Sequence, residues 1–184
     1  TQGFLGRYCL DKTGRRQFLS LQIPGDYVDL PAYVLGHLDH DIDAMSDVVV
    51  RPTAHENIRA LRAQEPDTFE KLWRIALIDA SIHRYAAFRL GRLAGRARVA
   101  NFFCEMLVRL YARGLCRIDR FKLPLSQGDL GEVCGMTAVH ANRLLYELRE
   151  EGICTFTAGE VQVPDLAQMF RVANFTTHHL YLPP

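Results

Sequence analysis

The stretch LPLSQGDLGEVCGMTAVHANRLLYELREEG, Leu123 to Gly152, decides how this chain is read. Two short apolar patterns meet in it at Gly135. Counted from Gln127, apolar residues stand at the fourth position (Leu130), eighth (Cys134), tenth (Met136) and eighteenth (Leu144), with small residues at the fifth (Gly131) and fifteenth (Ala141). Two helices crossing steeply over a turn of about three residues need this spacing: small residues where the backbones nearly touch, and a glycine that accepts positive φ at the corner. Ser126 and Thr137 are placed to cap the two helices. The stretch reads as a helix-turn-helix whose second helix covers 137–151. The leading turn of that helix projects outward and offers Thr137, Ala138, Val139, His140, Asn142 and Arg143. Arg143 carries the fork that matches guanine, and Asn142 pairs with adenine or a phosphate. Thr137 and the helix-end amides suit a phosphate, while Ala138 and Val139 offer apolar contact to thymine methyls.

Outward from this motif, ICTFTAGEVQVP (Ile153–Pro164) reads as two short strands around a turn, a β-wing, and Pro164 and Asp165 open a last helix, DLAQMFRVANF. Upstream, RVANFFCEMLVRLYARG (Arg98–Gly114) is an amphipathic helix that ends at Gly114. Gly91 and Gly95 bracket a hinge before it. Residues 84–149 hold twelve Lys/Arg against five Asp/Glu, whereas residues 1–50 hold four against seven, although the whole chain has a net charge of only +1. A basic module calls for an anionic partner. Arg92, Arg96 and Arg98 are the expected phosphate contacts.

Between these parts lies a long helix, FEKLWRIALIDASIHRYAAFRLGR, of about 25 residues and roughly 38 Å. Leu72, Ile75, Ile78, Ile82 and Tyr85 form a narrow seam along it, the expected interface with a second copy. Thr53 with Glu56, and Asp67 with Glu70, have capping-box spacing at the starts of two helices that Pro66 separates. Before Val50 the pattern is β-like: RYCLDKTGRRQFLSLQI alternates on both sides of a turn at Thr13 and Gly14, with Leu19, Leu21 and Ile23 on one face and Phe18 and Ser20 on the other.

The 184 residues, 48% apolar, suffice for a real core. No run approaches the roughly 18 apolar residues of a membrane span, and the first residues show no charged leader before an apolar run, so a cytoplasmic protein without membrane contact is expected. Five widely spaced cysteines, at 9, 104, 116, 134 and 154, read as reduced packing groups.

Taken in order, GRRQFLSLQIPGD, the long helix, LGRLAGRARVANFFCEMLVRL, LPLSQGDLGEVCGMTAVHANRLLYELREEGI and the wing resemble the Crp/Fnr family of bacterial transcription regulators. The resemblance spans nearly the whole chain and is strongest from Arg92 to Ile153. It implies an α+β protein with a partial β jelly-roll sensor segment and short helix over 1–64, a dimerisation helix over 65–93 and a winged helix-turn-helix over 94–184. It further implies a homodimer on a palindromic site in double-stranded DNA, with RNA polymerase as a further partner and no enzymatic activity. In the branch with LPLSQ and VHANR, DNA contacts fall on Ser126, Gln127, Thr137, His140, Asn142 and Arg143.

Two departures stand out. The sensor segment corresponds to the family's pattern only from its middle onward. Cyclic-nucleotide members hold a phosphate with Gly-Glu and then an Arg-Ser/Thr pair; Gly25 and Asp26 match the start, but acids fill HLDHDIDAMSD where the arginine is expected. Cyclic AMP is therefore not the expected effector, and the effector stays open. No cofactor is expected, since the scattered cysteines do not match an iron–sulfur ligand set. Two rival readings remain: a metal-binding sensor or hydrolase using His37, Asp39, His40 and Asp41, with Asp43 nearby, and a protein–protein adaptor built on the basic helix.

Overall fold

The computed structural model describes residues 2–182. Strands β1 (Leu5–Leu10) and β2 (Arg16–Gln22) form a hairpin, and β3 (Asp41–Ala44) adds to the other side of β1, giving an antiparallel sheet of order β2-β1-β3. A one-turn helix, α1 (Ala32–Leu35), lies in the connection. Helices α2 (His55–Gln64), α3 (Pro66–Arg92) and α4 (Gly95–Ala112) follow. The C-terminal part runs β4 (Arg120–Lys122), α5 (Gln127–Val133), α6 (Ala138–Glu150), β5 (Thr155–Thr157), β6 (Glu160–Gln162) and α7 (Leu166–Ala173), then a 3-10 turn at His178–Leu180. Its sheet has the order β4-β6-β5.

The hairpin turns where the sequence places it. The Asp11 carboxylate accepts from the Thr13 amide at 2.7 Å, the Thr13 hydroxyl at 2.5 Å and the Arg15 amide at 3.0 Å, which holds its pKa well below the usual carboxylate range. The expected alternation in β2 is corrected. Arg7 pairs with Ser20 but Tyr8 with Phe18, so Leu19 is an extra, bulged residue. The bulge turns Phe18 inward beside Leu21 and Ile23, each 2% exposed or less, and leaves Leu19 outside.

Neither expected capping box forms. Helix α2 starts at His55 after an extended Ala54 without a side-chain cap. Pro66, with its preset φ and missing amide, starts α3 two residues earlier than a cap at Asp67 would. Helix α3 is 27 residues long, and only Leu93 and Ala94 separate it from α4.

Helix α4 runs through the core. Val99, Ala100, Phe103, Met106 and Leu107 have no exposed surface, and each large side chain so buried contributes about 1.5–3 kcal/mol. Phe18 and Leu21 of β2 and Ile23 just after it join the same cluster, so the β-segment packs directly on the C-terminal part.

Glu105 stands in the middle of this apolar helix, 2% exposed. Arg89 of α3 donates to its Oε2 at 2.8 Å, and Arg109 lies 3.4 Å from Oε1. Arg109 continues the chain of charges to the Leu21 carbonyl at 3.1 Å and to Asp26 at 2.7 Å, while Arg113 holds the other Asp26 oxygen at 2.6 Å. Arg7 of β1 similarly pairs with Asp79 of α3 at 2.6 Å. Burial alone would push the Glu105 carboxyl up, but Arg89, His179 and Arg109 together outweigh it and hold the group down at about 2.

Glu105→Gln should cost about 3–5 kcal/mol in denaturant unfolding at neutral pH, because it leaves the buried Arg89 without a counter-charge and Arg109 with Asp26 alone. With the folded pKa lowered from 4.5 to about 2, the ionised carboxylate stabilises the fold fully above the unfolded value and loses this effect as pH falls through that window. The gap between wild type and variant should therefore narrow from pH 5 downward. A gap independent of pH would contradict the role assigned to the charge.

Candidate nucleic-acid interface

Helix α5 begins with a complete capping box. Ser126 accepts from the Asp129 amide at 3.1 Å, and Asp129 accepts from the Ser126 amide at 2.9 Å and its hydroxyl at 2.7 Å. The chain then turns through Gly135, at φ +62°. Thr137 caps α6 by accepting from the His140 amide at 3.2 Å. The crossing is as tight as the sequence implies: a methyl on Gly131 would lie 2.8 Å from the Met136 carbonyl.

Helix α6 buries Ala141, Leu144, Leu145 and Leu148. Its opposite face is free: Val139 is 80% exposed, and Thr137, Ala138, Asn142 and Arg143 are also exposed, with His140 half-buried. Arg143 is steadied on its own helix by His140 Nδ1 at 3.2 Å and by Glu147 at 3.9 Å. Ser126 and Gln127 share a groove with Asn142, Tyr146, Arg149 and the wing. The wing tip is formed by Ala158 and Gly159, both in the left-handed region, as a tight hairpin requires.

Tyr146 and Arg149 escaped the sequence reading. They lie four and seven positions beyond Asn142, hence on the same helical face, and the Arg149 guanidinium sits 5.8 Å from the Tyr146 ring centroid. That spacing was the available signal.

The arginines expected at phosphates have different surroundings. Arg92 is exposed at the end of α3. Arg96 pairs with Glu151, just past the far end of α6 from its leading turn. Arg98 corrects the expectation: its guanidinium is half-buried and donates to the Leu93 and Cys134 carbonyls, both at 3.0 Å, tying the α3–α4 joint to the turn after α5. These bonds commit its Nε and Nη1 to the chain's own carbonyls.

The seam on α3 is corrected as well. Ile82 is 8% exposed, and Ile78 and Tyr85 also pack on the chain's own core. Tyr85 accepts from Asn101 at 2.9 Å and stacks on His179 with centroids 3.6 Å apart. Leu72 is half-buried and Ile75 is 40% exposed. The free stripe is the adjacent one, through Trp73, Leu77, Ala80, Arg84 and Ala87 with Phe88 beside it. Trp73 and Leu77 are more than half exposed.

His40 bonds Asp39 at 2.8 Å and Asp43 pairs with Arg16; among the described residues no three His, Cys, Asp or Glu side chains gather to hold an ion. Asp26 is engaged by Arg109 and Arg113. Cys134 is fully buried at the end of α5, and burial pushes its thiol up to about 12. Among the described residues no helix is long and apolar enough to cross a membrane.

Residues 97–172 match the model of the Crp-like helix-turn-helix domain. The chain is 23% identical to the anaerobic regulatory protein of Pasteurella multocida over 95% of its own length, and spans 63% of that relative. It is 25% identical to the nitrogen fixation regulation protein FixK of Bradyrhizobium diazoefficiens, covering 94% of this chain and 71% of FixK. Its fold is similar to that of FixK2 from Bradyrhizobium japonicum, with TM-score 0.79 and 24% identity over 95% of this chain and 85% of that one. A CRP-family transcriptional regulator from Thermus thermophilus gives a TM-score of 0.74 at 21% identity, covering 97% of this chain and 87% of its own.

The tight crossing sets an order of substitution costs. Gly131→Ala drives a methyl into backbone and should cost about 1–3 kcal/mol, whereas Gly135→Ala meets mainly the left-handed φ and should cost about 1–2 kcal/mol. Denaturant midpoints measure both. A neutral Gly131→Ala would contradict the close approach.

Proposed function

We propose that the chain is a Crp/Fnr-type transcription regulator that binds palindromic promoter DNA as a homodimer; the Crp-like helix-turn-helix match over residues 97–172, the similarity to FixK and the shared fold support this reading. The observation that carries this reading is the leading turn of α6, capped by Thr137, unpartnered on its outer face among the described residues and flanked by the wing groove. Two such turns would enter successive major grooves about 34 Å apart. Arg143, Asn142, Val139 and Ala138 meet base edges; Ser126, Gln127, Thr137 and His140 meet the backbone. Tyr146 and Arg149 extend this surface toward the wing. Arg92 remains a candidate for phosphate contact, and Arg96 becomes one where Glu151 releases it. RNA polymerase is the further partner such a regulator meets at a promoter.

The partner copy would dock on the stripe of Trp73, Leu77, Ala80, Arg84 and Ala87. These residues recur at alternating spacings of four and three, the heptad pattern of a helix pair, and two large apolar side chains among them are exposed.

Selection of duplexes by the purified protein gives the site. On it, Arg143→Ala should cost about 1–3 kcal/mol and relax preference at one base pair, with little effect on random DNA. Equal losses on both would contradict base reading. Binding should fall steeply with salt; salt-insensitive binding to a protein would favour the adaptor instead.

Leu77→Asp should yield a folded monomer by sedimentation, with weakened duplex binding. A dimer of unchanged stability would rule out the stripe.

A further inference from the structure

Arg16 reaches from the β-segment onto the helix-turn-helix. It is the first residue of β2, and its guanidinium is shared among three carboxylates: Nη2 donates to Asp129 at 2.6 Å, Nε to Glu132 at 2.7 Å and Nη1 to Asp43 at 3.2 Å. The guanidinium carbon lies 4.3 Å from the Phe18 ring centroid, which seats it against a buried aromatic. Gln17 adds a bond from its side-chain amide to the Glu132 carbonyl at 2.6 Å. Asp43 is on the β-segment itself, but Asp129 and Glu132 are on α5, so the fork spans the two parts.

Two features set this contact apart from an ordinary surface ion pair. Asp129 is the residue that closes the capping box: one oxygen receives Ser126, and the other receives Arg16. Arg16 thus grips the first turn of α5 beside Ser126 and Gln127. The contact is also one of two. Beyond the far end of β2, Asp26 is held by Arg109 and Arg113 on and just after α4. A strand of seven residues, about 23 Å long, is therefore pinned near both ends, to α5 and to α4. Swinging the helix-turn-helix away from the β-segment requires the Arg16 fork to open.

The fork does not cover the reading surface, because Val139, Asn142 and Arg143 are exposed while it is closed. Its effect is on orientation. We propose that Arg16 is a positioning residue whose bonds to Asp129 and Glu132 fix the angle at which the β-segment holds α6, and so fix the half-site spacing that two copies read together. This rests on the homodimer reading above. A role confined to stability would change affinity on every duplex alike, whereas an angular role changes the preference among spacings.

The test uses the full chain and three duplexes: the selected palindrome, the same palindrome with two base pairs inserted at its centre, and a single half-site. The insertion turns one half-site by about 70° relative to the other. Wild type should strongly prefer the uninterrupted palindrome. Arg16→Gln should lower affinity for that duplex about tenfold, bring the ratio between the two spacings toward one, and leave single half-site binding unchanged, which also reports that the variant is folded. Glu132→Gln should act in the same direction, and combining it with Arg16→Gln should add little, while Asp43→Asn should keep the spacing preference. An Arg16→Gln protein with wild-type spacing preference would overturn the proposal, as would an equal loss on all three duplexes. A wild type indifferent to spacing would overturn the two-fold reading itself, and the positioning role with it.

Discussion

The ionised carboxylate of Glu105 is the constraint around which the structure is arranged. A charge in the middle of the core helix is tolerated only with close counter-charges, and these come from Arg89 of α3 and from Arg109 one turn along α4. Each cation has a fixed geometry and a second task. Arg89 lies against the Phe102 ring, and Arg109 carries the network on to Asp26 in the turn after β2. One buried charge thus specifies how the long helix, the core helix and the β-segment meet. Apolar packing supplies most of the stability, but it is not directional; the ion chain is.

On that platform the helix-turn-helix is held from behind and left open in front. Arg98 ties the turn after α5 to the α3–α4 joint, Arg16 ties the first turn of α5 to β2, and Leu144 and Leu148 bury the inner face of α6. Among the described residues nothing covers the outer face of its leading turn. The arginines accordingly divide into two kinds. Arg16, Arg89, Arg98 and Arg109 are internal struts, and Arg143 and Arg149 stand on the surface. Net charge alone does not separate them.

The helix-turn-helix was legible because its rules are local: Ser126 and Thr137 cap where helix-terminal amides need acceptors, Gly135 takes positive φ, and Gly131 and Ala141 lie at the crossing. The wing and the final helix followed from the same turn and cap chemistry. What could not be read was set by tertiary context. The bulge at Leu19 reverses the faces of half a strand without a mark in the composition. The stripes through Ile78 and Trp73 lie side by side on α3, both apolar, and only packing decides which one the chain keeps for itself. Arg98 resembles any basic residue near a DNA-binding module until its two carbonyl partners are seen. Tyr146 and Arg149 became visible once the wing defined the groove they line.

The most direct measurement is amide hydrogen exchange, residue by residue, on the free protein and on its complex with a selected duplex. Exchange should slow at the leading turn of α6, at the start of α5 and at the wing tip, while α4, already buried, stays as it was. Protection elsewhere, with residues 137–143 exchanging at the rate of the free protein, would contradict the assignment of α6 as the reading element.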